Sequence, residues 1–191
     1  MTSRPLRLAN RGDWRRAPEN SLAAMLAALA VPGCDGLEFD VRASREGVPI
    51  VLHDETLLRV QGISARASDL TADELARHGV PRLSDVLAGA GPGPFLDVEL
   101  KEDLASSVVA ALEAARGDLP ARTVVSSFEP AALASVRRRA PAWPRWLNAV
   151  DLSAATLVVA RELGCRGVSA QWRAIDEGSL ARARAAGLDI A

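Results

Sequence analysis

A chain of 191 residues, about half apolar and a quarter charged, has the length and composition of one globular domain with a sizeable core. A formal net charge of −1 argues against a protein held to nucleic acid or to an anionic membrane surface by charge. No apolar run approaches the ~20 residues of a membrane span, and the opening MTSRPLRLANRGDW lacks the apolar stretch of a secretory signal, so the cytoplasm is the expected compartment.

In chain order, Arg7 to Asn10 reads as a first strand. Residues 20–30 place Leu22, Met25, Leu26 and Leu29 on one helix face, with Asn20 or Ser21 as cap and Pro32-Gly33 as stop. Residues 37–41 alternate apolar with acidic, the period of a strand. Residues 49–52 form another strand that leads into His53-Asp54. Residues 71–78 and 83–89 read as short helices, 95–101 as a strand and 102–116 as a helix ended by Gly117. Strands over 123–127, 145–150 and 167–171 then alternate with helices over 130–138, 153–163 and 176–186, the last capped by Asp176. Residues 188–190 open one more strand. Cys34 and Cys165 fit no metal spacing and read as buried reduced thiols. Trp143, Trp146 and Trp172 read as core or pocket-wall residues, and Arg137-Arg138-Arg139 as a solvated helix end.

Repeated β–α alternation favours a parallel sheet with helices outside it. The fold class is therefore α/β, of the (β/α)8 TIM-barrel type, in a single domain spanning 1–191. An open doubly wound sheet is the alternative. Six βα units and the start of a seventh strand can be counted, so one to two units of a closed barrel, typically ~250 residues long, are not in this chain. Twelve residues separate Asp40 from His53, too few for a parallel crossover with its helix. They include the turn signal Ser44-Arg45-Glu46-Gly47. Residues 49–52 should therefore fold back as a hairpin arm, within an excursion at about 42–70 that carries His53 over the C-terminal mouth.

Strand alternation puts Leu37, Phe39 and Val41 on one face and Glu38 and Asp40 on the other. It does the same for Leu96, Val98 and Leu100 against Asp97, Glu99 and Lys101. With the apolar set on the helix layer, the acids point into the lumen. Carboxylates crowded there cost several kcal/mol each unless compensated, by basic neighbours or by a divalent cation with oxygen ligands such as Mg²⁺ or Ca²⁺.

Seven segments extend the pattern. They are Asn10-Arg11-Gly12, Pro18-Glu19-Asn20-Ser21, Glu38-Phe39-Asp40-Val41, His53-Asp54-Glu55-Thr56-Leu57, Pro81-Arg82-Leu83-Ser84-Asp85-Val86-Leu87, Glu99-Leu100-Lys101 and Ser126-Ser127-Phe128. In this order and spacing the chain resembles the glycerophosphodiester phosphodiesterase family of phospholipase-C-like barrels. The resemblance implies a metal-dependent hydrolase that acts on small-molecule glycerophosphodiesters and releases glycerol 3-phosphate and an alcohol. It implies one Mg²⁺ or Ca²⁺ on Glu38, Asp40 and Glu99. It further implies that Arg11 and Lys101 contact the phosphate, that His53 is one of two general acid–base histidines, and that Glu19 orients Arg11.

One position departs from the family pattern. Where the family has His-Arg-Gly, this chain has Asn10-Arg11-Gly12, and an amide hydrogen-bonds without exchanging a proton near neutral pH. The loss of one acid–base partner lowers a rate by roughly 10²- to 10⁴-fold. The alternative function is thus a non-catalytic or altered phosphodiester-binding homologue. His78, on a predicted helix, reads as a surface residue, and Asp13 as a weak candidate for the vacated space.

Overall fold

The computed structural model describes residues 4–117 and 122–191. Its sheet has eight strands: β1 (Leu8–Asn10), β2 (Gly36–Ala43), β3 (Pro49–Val51), β4 (Phe95–Leu100), β5 (Thr123–Ser127), β6 (Arg145–Ala149), β7 (Gly167–Ala170) and β8 (Asp189–Ile190). Seven of them run parallel in the order β1-β2-β4-β5-β6-β7-β8, and β3 pairs antiparallel with β2. A doubly wound sheet would reverse its order from a central strand; sequential neighbours are the order of a barrel wall. Among the described residues β1 and β8 do not pair, so the wall is open between them. Among the described residues no helix is long and apolar enough to cross a membrane.

The helices α1 (Leu22–Leu29), α4 (Leu83–Ala90), α5 (Ala105–Arg116), α6 (Pro130–Arg139), α7 (Ala154–Glu162) and α8 (Glu177–Ala185) follow the strands, with α2 (Leu58–Gln61) and α3 (Ala72–Arg77) inside the excursion, whose core runs to Val80 and so past the residue 70 expected. Their starts are set by side chains that take up free N–H groups: Ser21 for α1, Thr71 for α3, Ser153 for α7 and Asp176 for α8. The helix expected over 20–30 begins late because Asn20 is left-handed (φ 58°) and Ser21 holds the cap. The strand expected from Arg7 starts at Leu8, since Asp35 Oδ2 takes the Arg7 N–H. The strand expected to reach residue 101 ends at Leu100, and α5 starts at Ala105, so residues 101–104 form a loop over the mouth.

Alternation partitions the sheet as expected. Leu37, Phe39 and Val41 of β2 and Leu96, Val98 and Leu100 of β4 are at most 1% exposed and share one core cluster with Met25, Val86, Val108 and Leu112 of the helices. Each such side chain contributes about 1.5–3 kcal/mol by burial. At Gly36 a Cβ would lie 1.9 Å from the Phe95 carbonyl oxygen, so the close approach of β2 to β4 needs glycine there. Trp143 joins this core, whereas Trp172 is 74% exposed and forms no part of a core. Cys165 is buried and Cys34 only half-buried; both are free thiols.

The excursion folds as a hairpin. Val41 pairs with Val51 and Ala43 with Pro49, and Ser44 accepts the Gly47 N–H across the turn. It has its own small core of Ile50, Leu52, Leu57, Ala67, Ala72, Leu75 and Val80. The Leu52 N–H donates to the Asp40 carbonyl, which seats the following His53 beside the C-terminal end of β2.

Candidate active site

The register of β2 against β4 sets Glu38 opposite Asp97 and Asp40 opposite Glu99. Oxygen atoms of Glu38, Asp40 and Glu99 lie within 4.8 Å of one another. They meet at the C-terminal mouth beside a cavity of about 310 Å³ lined by Asn10, Arg11, Glu38, His53, Glu99 and Lys101, with Phe128, Asn148 and Gln171 on the far wall. That volume lies at the small end for ligand pockets.

Asp40 is the most enclosed of the acids, at 1% exposed. Its Oδ2 accepts from Asn20 Nδ2 at 2.9 Å and lies 3.1 Å from Arg11 Nε; its Oδ1 lies 2.9 Å from Lys101 Nζ. The last two are ion pairs without hydrogen-bond alignment. Lys101 donates to Glu99 Oε1 at 2.5 Å. Arg11 reaches Asp40 because β1 ends in two left-handed residues, Arg11 (φ 57°) and Gly12 (φ 81°), a turn that strains a non-glycine residue. At Gly12 a Cβ would sit 2.6 Å from the Ala24 backbone, so α1 packs directly on this turn.

Two cations thus face four carboxylates. Burial, and then repulsion from Asp40, Asp97 and Glu99, push the Glu38 carboxyl up to about 9. Burial likewise raises Asp97 to about 7, although Ser126 Oγ donates to it at 2.6 Å. Asn148 Nδ2 lies 3.4 Å from the same hydroxyl, and its Oδ1 is buried without a partner. The crowding that raises these carboxyls and a donor set made only of carboxylate oxygens suit a hard divalent cation of the Mg²⁺ or Ca²⁺ kind, which would favour their ionised forms. Glu38, Asp40 and Glu99 are the residues that would hold it.

His53 stands on the other side of the cavity. Its Nδ1 is 2.6 Å from Asp54 Oδ1, and Arg42 Nε donates to its carbonyl at 2.8 Å. Hydrogen bonds from Arg59 and His53 hold Asp54 down to about 2, so it faces the imidazole as a carboxylate and can only accept. In its neutral form the imidazole therefore carries its proton on Nδ1 and presents Nε2 as the acceptor. Glu19 accepts from Arg11 at 3.1 Å and is also gripped by Arg59.

The structure therefore brings together Asn10, Arg11, Glu19, Glu38, Asp40, His53, Glu99 and Lys101, the residues assigned a site role from the sequence. Asn10 Nδ2 donates to Glu38 Oε2 at 2.5 Å. Asp13 turns away, with its carboxylate on the Arg15 N–H and the Arg16 side chain. His78 ends α3, away from the cavity lining. Sequence reading took Asn20 only as a possible cap, gave no role to Asp97 on the acidic face of β4 or to Ser126 in its matching segment, and missed Asn148 and Arg59. The acidic face of β4 and the Ser126-Ser127-Phe128 segment were signals already present; the Asn148 and Arg59 contacts are tertiary.

Comparison with known proteins bears on this arrangement. The profile of the glycerophosphoryl diester phosphodiesterase family matches residues 11–191. A glycerophosphodiester phosphodiesterase of Caldanaerobacter subterraneus is 29% identical over 154 residues, which cover 70% of this chain and 62% of that protein. A probable glycerophosphodiester phosphodiesterase 2 of Mycobacterium tuberculosis is 31% identical over 179 residues, covering 87% and 63%. The chain thus spans less than two thirds of the length of these curated relatives. A phosphodiesterase of Oleispira antarctica, solved in complex with the product sn-glycerol-3-phosphate, superposes with a TM-score of 0.87 at 25% identity, over 97% of this chain and 83% of that one. A glycerophosphodiester phosphodiesterase of Agrobacterium tumefaciens does so with a TM-score of 0.78 at 27% identity, over 98% and 85%.

Proposed function

The chain belongs to the glycerophosphoryl diester phosphodiesterase family, and from that premise we propose that it hydrolyses glycerophosphodiesters in the cytoplasm with the help of one Mg²⁺ or Ca²⁺. The products are glycerol 3-phosphate and an alcohol. The observation that carries the reading is the meeting of Glu38, Asp40 and Glu99 within 4.8 Å at the mouth of the barrel wall.

When bound, the cation supplies Lewis acidity at a phosphate oxygen. The chain's own groups do the rest. Arg11 and Lys101, already at the cavity wall, stabilise the negative charge that grows on the phosphoryl oxygens. His53 takes or returns a proton at Nε2, while Asp54 fixes the opposite ring nitrogen. The small cavity favours compact head groups such as those of glycerophosphocholine and glycerophosphoethanolamine. The test is release of choline or ethanolamine in the presence of Mg²⁺ or Ca²⁺. Release is expected to stop with a chelator and in Glu38→Ala; turnover that ignores both would overturn the metal role.

One observation favours a second reading. Asn10 is committed to Glu38 and carries no transferable proton, so His53 stands alone as an imidazole at the mouth. A chain that binds metal and phosphodiester without turnover would fit this. Multiple turnover that disappears in His53→Ala excludes it.

A further inference from the structure

We propose that Arg59 is a positioning residue that sets two groups of the site at once, Arg11 through Glu19 and His53 through Asp54. The inference rests on the hydrolase reading for its kinetic consequences and on geometry alone for its structural ones.

Arg59 lies on α2, the four-residue helix of the excursion, none of whose residues is buried. Its guanidinium makes four hydrogen bonds to two carboxylates. Nη1 donates to Glu19 Oε2 at 3.0 Å and Nη2 to Glu19 Oε1 at 2.7 Å. Nε donates to Asp54 Oδ2 at 2.6 Å and Nη2 to Asp54 Oδ1 at 3.1 Å. Each carboxylate then hands the constraint on. Glu19 Oε1 also accepts from Arg11 Nη1, and Asp54 Oδ1 also accepts the His53 ring proton. One planar fork therefore orders two acids that would otherwise repel each other, and each acid holds one cavity residue.

Stability alone does not explain so many contacts. The Arg59 side chain is 49% exposed, and ion pairs that open to water contribute little to folding. The excursion is held instead by its own apolar core, with Leu57 fully buried next to α2. The contacts to Arg59 fix direction: the Asp54 limb decides which imidazole nitrogen carries the proton, and the Glu19 limb decides where the Arg11 guanidinium lies. Free neutral imidazole prefers the other tautomer, with its proton on Nε2, so release of Asp54 reverts His53 to a form whose Nε2 can no longer accept a proton.

The test uses the intact chain, which has two histidines; the His78→Gln background leaves His53 alone in long-range ¹H–¹⁵N spectra. Above the imidazole titration, the parent protein is expected to show the Nδ1–H tautomer. Arg59→Ala is expected to move the majority to Nε2–H, and Arg59→Lys, which keeps the charge without the fork, to give a mixture. Glu19→Gln should leave the tautomer in place. On glycerophosphocholine, Asp54→Asn should lower kcat, Glu19→Gln should raise KM, and Arg59→Ala should do both, by about 10- to 100-fold in each, the scale of misplaced reacting groups. An unchanged tautomer in Arg59→Ala, or kcat and KM both within twofold of the parent, would overturn the proposal. A tautomer shift in a protein that turns over no substrate would uphold the positioning role and defeat the hydrolase reading. If Arg59→Ala fails to fold, Arg59→Lys and Glu19→Gln carry the comparison.

Discussion

Asn10 donates its amide to Glu38 Oε2, so position 10 acts on a carboxylate and not on a proton in flight. Asn10→His should therefore raise kcat, by roughly 10²- to 10⁴-fold where proton transfer limits the rate. Steady-state kinetics on glycerophosphocholine check this, and no gain would mean that protons travel by another route. Asp54 gives a pH signature of different origin. Its carboxyl is held below its ordinary 3.8, down to about 2, by Arg59 first and His53 after it. A depressed carboxylate stabilises the fold above its unfolded value, and that contribution is lost as pH falls through the folded value. Asp54→Asn should thus lower the melting temperature near neutral pH, and the difference from the parent should shrink as pH falls below 3.8 and vanish only below about pH 2. A difference that persists in acid would place the stabilisation elsewhere.

Among the elements, β2 and β4 were legible in the sequence because their period of two needs only local reading. The acids at Glu38, Asp40 and Glu99 fell on one face, and the register brought them together. The hairpin of β2 with β3 was legible from chain length alone. The four-residue α2 was not legible: it has no side-chain cap and no apolar stripe. Arg59 was hidden for the same reason, since its meaning depends on Glu19, forty residues away in the chain. Asn20 showed a local cap chemistry that Ser21 in fact supplies, while its own amide holds Asp40. The close pairing of β2 with β4 also makes a prediction. Gly36→Ala drives a Cβ against the Phe95 carbonyl and should cost about 3 kcal/mol, read as a lower urea midpoint. Because the same pairing aligns the acids, divalent-cation affinity should fall with it. A stable variant with undiminished affinity would show that the strands can part freely.

For the whole molecule, the crowding of Glu38, Asp40 and Glu99 at the mouth predicts that a cation stabilises the fold. Ligand at 100 times its dissociation constant adds about 2.7 kcal/mol, or a rise of roughly 5–10 °C in Tm for a chain of this size. Mg²⁺ or Ca²⁺ should give that rise in the parent protein and not in Glu38→Ala, as differential scanning fluorimetry would show. The molecule is also divided in a way that matters under stress. The acids stand on strands whose outer faces belong to the large core, whereas His53 and Asp54 ride on the excursion with its separate small core. Cooperative units of that kind open at different free energies. In mild denaturant, amide hydrogens of residues 48–80 should exchange before those of β2 and β4. The protein would then pass through a state that still holds Glu38, Asp40 and Glu99 together but has released His53: one half of the site outlasts the other.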